Sequence, residues 1–229
     1  MRDRMIFLLV ASLIAVPLLA KDFVVKAVRG VVEVRRGVAE EWKMVRVGDL
    51  LKPEDSMRTG KSSSATLESD AKRLTIPALT MLDLSDVRQM SQEDFLLSLA
   101  MENILSVPPR ESDEITIPSA AVLHGSNKAK EDADPFSQAN VGRMQLQGAR
   151  VLFDNTYYAT SILKTKATLR SFPDLRANFD ARILVAQAFE KLKLNSEAIT
   201  EYSLLAKENL TASQLKVVEE SLDRLNQSK

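Results

Sequence analysis

The chain has no cysteine and a single histidine, His124, in 229 residues. The first absence excludes disulfides, thiolate catalysis and cysteine metal sites. The second excludes a multi-histidine metal centre built within one chain. Charge of either sign is not in excess. Lys plus Arg and Asp plus Glu both total 31, so no net field draws the chain to nucleic acid or to an anionic membrane. Glycine (7) and proline (8) are scarce, so the places where they fall punctuate the pattern.

What is present begins with an apolar run. Arg2 and Arg4 precede Met5 to Leu19, which is broken only by Ser12 and Pro17. The run falls short of the roughly 20 apolar residues that a membrane-spanning helix needs. Ala20 before Lys21-Asp22 suits a signal-peptidase site, and Leu18 suits it less well. Residues 1–20 therefore read as a cleaved signal peptide, with an uncleaved N-terminal anchor as the alternative. In both cases the expected location of the rest is periplasmic or secreted. No cysteine follows the run, so a lipoprotein is not expected.

Alternation with period two follows, the mark of half-buried strands. Val28, Gly30, Val32 and Val34 share one face of a strand that Gly37 closes. Phe23, Val25 and Ala27 are in the opposite phase, which predicts a bulge or bend near Ala27. Further strands are expected over Trp42–Val47, Ser56–Thr59, Ser64–Ser69, Leu74–Ile76 and Thr80–Leu84, with Ala65 and Leu67 inward. Turn residues recur about every ten positions, the spacing of a β sandwich or barrel. One insert departs from this. Ser91 with Asp94 forms a capping pair, and Leu96, Leu99, Ala100 and Ile104 have helical spacing, predicting a helix over 92–106 against the β core. A last strand, Glu114–Leu123, carries Pro118 and is expected at an edge.

Residues 125–140 are polar and aperiodic, as in a linker. From Val141 onward the period becomes 3.6. Helices are expected over 142–155, 158–171, 180–193, 195–208 and 212–226, with Thr211 as an N-cap. The expected fold class is α+β and multidomain: an all-β sandwich or barrel-like domain with one helical insert, then α-helical hairpins. The divisions are 1–20 (signal peptide), 21–125 (β domain), 126–140 (linker) and 141–229 (helical domain).

Two families resemble these halves. The series Val28-x-Gly30-x-Val32, Trp42, Val47-Gly48-Asp49-x-Leu51, Asp55-x-Met57-Arg58-Thr59-Gly60 and Ser63-x-Ala65-x-Leu67 is similar to the FecR-type extracytoplasmic domain, named for a regulator of ferric citrate uptake. The match is good over residues 25–85 and poor over 86–125. In the second half Ala186, Phe189, Ala198 and Tyr202, and more weakly Gly148, Ala149, Phe153, Tyr158 and Ile162, resemble the packing positions of tetratricopeptide repeats. These resemblances imply an extracytoplasmic binding module joined to a partner-docking helical array.

No catalytic, metal or cofactor site emerges. Ser62-Ser63-Ser64 lacks a histidine base other than His124 and any G-x-S-x-G elbow. Gly60-Lys61-Ser62 lacks the first glycine of a P-loop. Asp49, Asp55 and Asp70 sit in separate turns without EF-hand spacing and read as turn formers. The candidate recognition residues are Arg58 and Trp42 in the β half, and Lys164, Lys166, Arg170 and Arg176 in a basic stripe that also takes in Arg182. Trp42 has a competing reading as a buried ring against Leu50 or Val47, and the stripe as a solvated helix face. The expected role is a non-catalytic binding or scaffold protein of the bacterial cell envelope. It would meet an envelope protein or cell-wall component through the β domain or a helical groove, with no nucleic acid. Membrane contact would come only through an uncleaved N-terminal segment. The alternative is a FecR-type regulator of signalling linked to iron or nutrient uptake, working with a separate membrane partner. Only Met1 to Arg4 precede the apolar run, so a sigma-factor-binding region is not expected there.

Overall fold

The computed structural model describes residues 22–106 and 136–227. The apolar N-terminal run, the expected strand Glu114–Leu123, His124 and residues 125–135 of the expected linker lie outside the described residues. The strands are β1 (Phe23–Arg29), β2 (Val32–Arg35), β3 (Trp42–Met44), β4 (Leu50–Leu51), β5 (Ser56–Thr59), β6 (Ser64–Ser69), β7 (Lys72–Ile76) and β8 (Met81–Asp83). They form two antiparallel four-stranded sheets, ordered β4-β1-β6-β7 and β3-β2-β5-β8. The helices are α1 (Gln92–Leu105), α2 (Gln138–Asp154), α3 (Tyr158–Ser171), α4 (Phe179–Lys191), α5 (Asn195–Leu205) and α6 (Ala212–Gln227). The layout is α+β in two parts, β first and helices after.

The register of β1 on β6 shifts between Val25 and Ala27, which is the expected bulge. Phe23 and Val25 are buried before it and Ala27 is exposed, so the extra residue resets the phase. The single strand expected through Val28–Val34 is instead two strands in different sheets. Gly30 makes the break at φ +71°, where a Cβ would stand 2.5 Å from Ser63 Oγ. Only glycine fits this left-handed, crowded position. The Val31 N–H then donates to Ser63 Oγ at 2.9 Å, and Gly60 N–H donates to the Val31 carbonyl at 2.9 Å. The expected strand Trp42–Val47 is shortened to β3, because Arg46–Asp49 turns back: the Arg46 N–H donates to Asp49 Oδ2 and the Gly48 N–H to the Val25 carbonyl.

Val25, Leu67 and Leu74 from one sheet and Val32, Met57 and Leu82 from the other meet in one apolar cluster. Val151 and Leu152 of α2 belong to the same cluster. The helix comes close because residue 148 is glycine. A Cβ there would lie 2.2 Å from the Met81 carbonyl oxygen of β8. Gly148, placed among helix–helix packing positions by the repeat resemblance, thus meets a strand backbone.

The insert helix α1 starts as its sequence predicts, with the Asp94 N–H donating to Ser91 Oγ. Its packing differs from expectation. It lies on α3, away from the β core, and buries Phe95, Leu99 and Glu102 while Leu96, Ala100 and Ile104 are exposed. A helix with apolar residues on every side leaves its face open to tertiary choice. Here the choice is made by Phe95 against Phe189, ring centroids 6.2 Å apart, and by Glu102 paired with Arg170.

Two antiparallel hairpins, α2–α3 and α4–α5, carry the second cluster. Each turns through one positive-φ residue, Thr156 or Lys193, and closes with a 6→1 backbone bond, Tyr157 N–H to Leu152 carbonyl and Leu194 N–H to Phe189 carbonyl. The two turns are therefore equivalent, and 193 minus 156 gives a repeat of 37 residues. At that offset buried Ala149 matches buried Ala186, and buried Ser161 matches buried Ala198. The closing helix α6 packs on α5. Its expected cap is reciprocal: the Gln214 N–H faces Thr211 Oγ1 and the Thr211 N–H donates to Gln214 Oε1.

Candidate functional site

Two aspartates of the β turns, Asp55 and Asp49, are occupied by the backbone and, at Asp55, by one arginine. Asp55 is buried and accepts from Gly37 N–H, Lys52 N–H and Arg36 Nη1. Asp49 accepts from its own turn. Among the described residues no cluster of histidine, cysteine, aspartate and glutamate is placed to hold a metal ion, and no helix is long and apolar enough to cross a membrane.

Arg58 and Trp42 come together. The Arg58 Nε–H donates to Glu33 Oε2 at 2.7 Å, its cross-strand partner. The guanidinium lies over two rings, 4.3 Å from the Trp42 centroid and 3.9 Å from that of Phe136. Trp42 is half-buried on β3, and its suggested neighbours Leu50 and Val47 are exposed. These two cation–π contacts join the start of the helical half to the second sheet. Tyr157 and Tyr158 are both half-buried, one against each core.

The basic stripe divides. Lys164 turns toward the β half, where its ammonium bonds Asp83 and lies 3.4 Å from Asp86 Oδ2. Asp83 also accepts from Ser56 Oγ at 2.6 Å. Burial alone would raise the Asp83 carboxyl, but Lys164 and Ser56 outweigh it and hold it below the usual range. Asp86 goes the other way: burial, with the charge of Asp83, raises it against the pull of Lys164. Burial would lower Lys164, but the two carboxylates raise it. Lys164 is therefore a clasp between the halves.

Lys166, Arg170 and Arg176 converge with Arg182 on a cavity of about 560 Å³ between the end of α1 and helices α3, α4 and α5. Leu105, Leu169 and Val185 supply its apolar wall. Lys166 bonds Glu201 at 2.6 Å, Arg182 bonds Glu208, and Arg170 grips Glu102 with two bonds of 2.7 and 3.2 Å. Arg176 follows the 3₁₀ turn Pro173–Leu175, is exposed, and has no carboxylate in ion-pair range among the described residues. Arg182 and the α1 end were not among the leading sequence candidates. The i, i+4 pair Lys166–Arg170 carried the signal for a shared face.

A second cavity, about 650 Å³, is lined by Glu190, Tyr202 and Arg224. Tyr202 donates to Glu190 Oε1 at 2.5 Å, and Arg224 holds both oxygens of that carboxylate. Burial and the Glu190 charge push the phenol far above its usual range. It stays neutral and bonded, a structural tie between α4, α5 and α6.

Fold and site together define a β sandwich fused to stacked helical hairpins, with a basic cavity in the helical part where three of four cations are paired. No family model, curated protein or solved structure matches the chain.

Proposed function

We propose that this is a non-catalytic binding and scaffold protein of the bacterial cell envelope, exported through its N-terminal apolar segment. The observation that carries this reading is the cavity under Lys166, Arg170, Arg176 and Arg182, which joins an apolar wall to guanidinium donors. Guanidinium and alkyl groups side by side suit a protein segment bearing carboxylates. A FecR-like β domain is supported by the use of its marker residues in the fold: Ala65 and Leu67 are buried, and Gly60 and Ser63 brace the sheet crossing at Val31. A tetratricopeptide-like array is supported by buried Ala186, Phe189, Ala198 and Tyr202, although the spacing of 37 exceeds the 34 of that repeat.

The test is photo-crosslinking in the native envelope from a reactive amino acid placed at Arg176, with exposed Glu219 as the control position. A discrete adduct from Arg176 absent from the control is expected. The same ladder of neighbours from both positions would end the docking reading. N-terminal sequencing of the exported protein is expected to begin at Lys21; a start at Met1 would give an anchored protein instead.

A further inference from the structure

Helix α1 exposes what an amphipathic helix normally hides. Leu97, Met101, Ile104 and Leu105 are each more than half exposed, Ile104 at 72%. Their spacing of i, i+4, i+7 and i+8 makes one stripe. The opposite side, Phe95, Leu99 and Glu102, is the one packed on α3. Among the described residues nothing packs on the stripe. Single exposed apolar residues need no explanation, but four in one line on one helix form a patch of the kind that marks an interaction surface.

The stripe and the basic cavity are continuous. Leu105 ends the first and lines the second. Resting on the docking reading above, we propose that this composite surface binds a short amphipathic helix of another protein, whose apolar face lies along α1 and whose terminal carboxylates enter the cavity toward Arg176. Charge selects this occupant. Lys166, Arg170 and Arg182 already hold one carboxylate each, and Arg176 holds none among the described residues, so the cavity has room for added negative charge and repels positive charge. A second copy of this chain in a two-fold contact would oppose one basic rim to another. The chain has no net positive charge to favour an anionic bilayer. From Leu97 to Leu105 a helix rises about 12 Å, so two to three turns of ligand cover the stripe.

The probe is a fluorescein-labelled helical peptide of about 18 residues, with leucines at the same spacing and three glutamates in its last turn. Its twin carries lysines in place of the glutamates. With the intact protein, anisotropy is expected to show at least tenfold tighter binding of the glutamate peptide. Arg176→Glu should remove that preference, and Ile104→Ser should weaken binding at least tenfold. Both positions are exposed, so folding is retained. Equal affinity for the twins, with Ile104→Ser weakening both, would overturn the acidic ligand while leaving docking at this face intact. Absence of binding by the glutamate peptide, or affinity unchanged in both variants, would overturn the site itself. Tighter binding of a peptide spanning residues 107–135 would assign the surface to the chain's own segment, and a dimer dissolved by Ile104→Ser would assign it to a second copy. Either result overturns the proposal.

Discussion

Helix α3 works differently on its two sides. Toward the sheets, Lys164 is largely buried between Asp83 and Asp86, and next to it α2 comes so near β8 that residue 148 has no space for a side chain. Toward the cavity, Lys166 and Arg170 pair with carboxylates but stay partly in water, beside an exposed Arg176 that has no carboxylate partner among the described residues. Equal charges therefore have unequal roles. At the seam the ion pairs fix how two parts of one chain meet, and losing one leaves a buried charge. At the cavity the charges can exchange partners, which is what recognition requires.

The strongest way to break this contrast is Lys164→Met. It leaves Asp83 and Asp86 without their cation; these carboxylates are 38% and 28% exposed, so the loss should be about 1–3 kcal/mol, between that of a surface pair and that of a fully buried one. Chemical denaturation should show a loss of that size; a loss under about 1 kcal/mol would mean that water already reaches the seam. Gly148→Ala comes next. The new methyl meets the Met81 carbonyl, and the α2 backbone must retreat, at the roughly 1–3 kcal/mol usual for overpacking. An unchanged midpoint would show that the approach of α2 to β8 is looser than described.

The two seam carboxylates should respond to pH with opposite signs. Asp83 titrates below its ordinary 3.8 in the fold, so its stabilisation is present above that value and is lost as pH falls through the depressed one. Asp86 titrates above 3.8. The folded state then holds its proton longer than the unfolded state, and a penalty grows as pH rises from 3.8 through the raised value. Asp86→Asn leaves Lys164 with Asp83, so relative to wild type its melting temperature should be higher at pH 7 than at pH 4. Asp83→Asn should show the reverse. Parallel shifts in the two variants would mean that the pair titrates as one unit.

Much of the fold was legible in the chain. The limits of β5, β6 and α3, the bulge before Ala27 and the cap of α1 all follow from local chemistry: alternation, a phase break, a Ser-x-x-Asp pair. What escaped was tertiary. The alternation through Gly30 continues unbroken, so the crossing between sheets is visible only once Ser63 is seen filling the space beside it. The face of α1 escaped because leucines surround it. The candidate site was half legible. Lys164 and Lys166 are two apart and must point to different sides of a helix, whereas Lys166 and Arg170 are four apart and share one. That spacing argues against the single stripe expected from the sequence, but only the packing shows which side meets the sheets.

The cavity side should be tolerant where the seam is not. Glu102→Gln loses the charge that grips Arg170, yet that guanidinium is partly open to water. Its melting temperature should fall by less than that of Lys164→Met. A comparable fall would make α1 as firmly bound as the seam and would argue against a surface that exchanges partners. Arg176→Ala should do least of all. An exposed arginine without a carboxylate partner has almost nothing to lose on folding, and substitutions of this kind usually stay within about 0.5 kcal/mol. A stable Arg176→Ala protein whose envelope crosslinks from a neighbouring cavity position disappear would separate binding from folding at one residue. If instead the variant melts early, Arg176 belongs with Lys164 as a structural charge, and the distinction between the two sides of α3 fails.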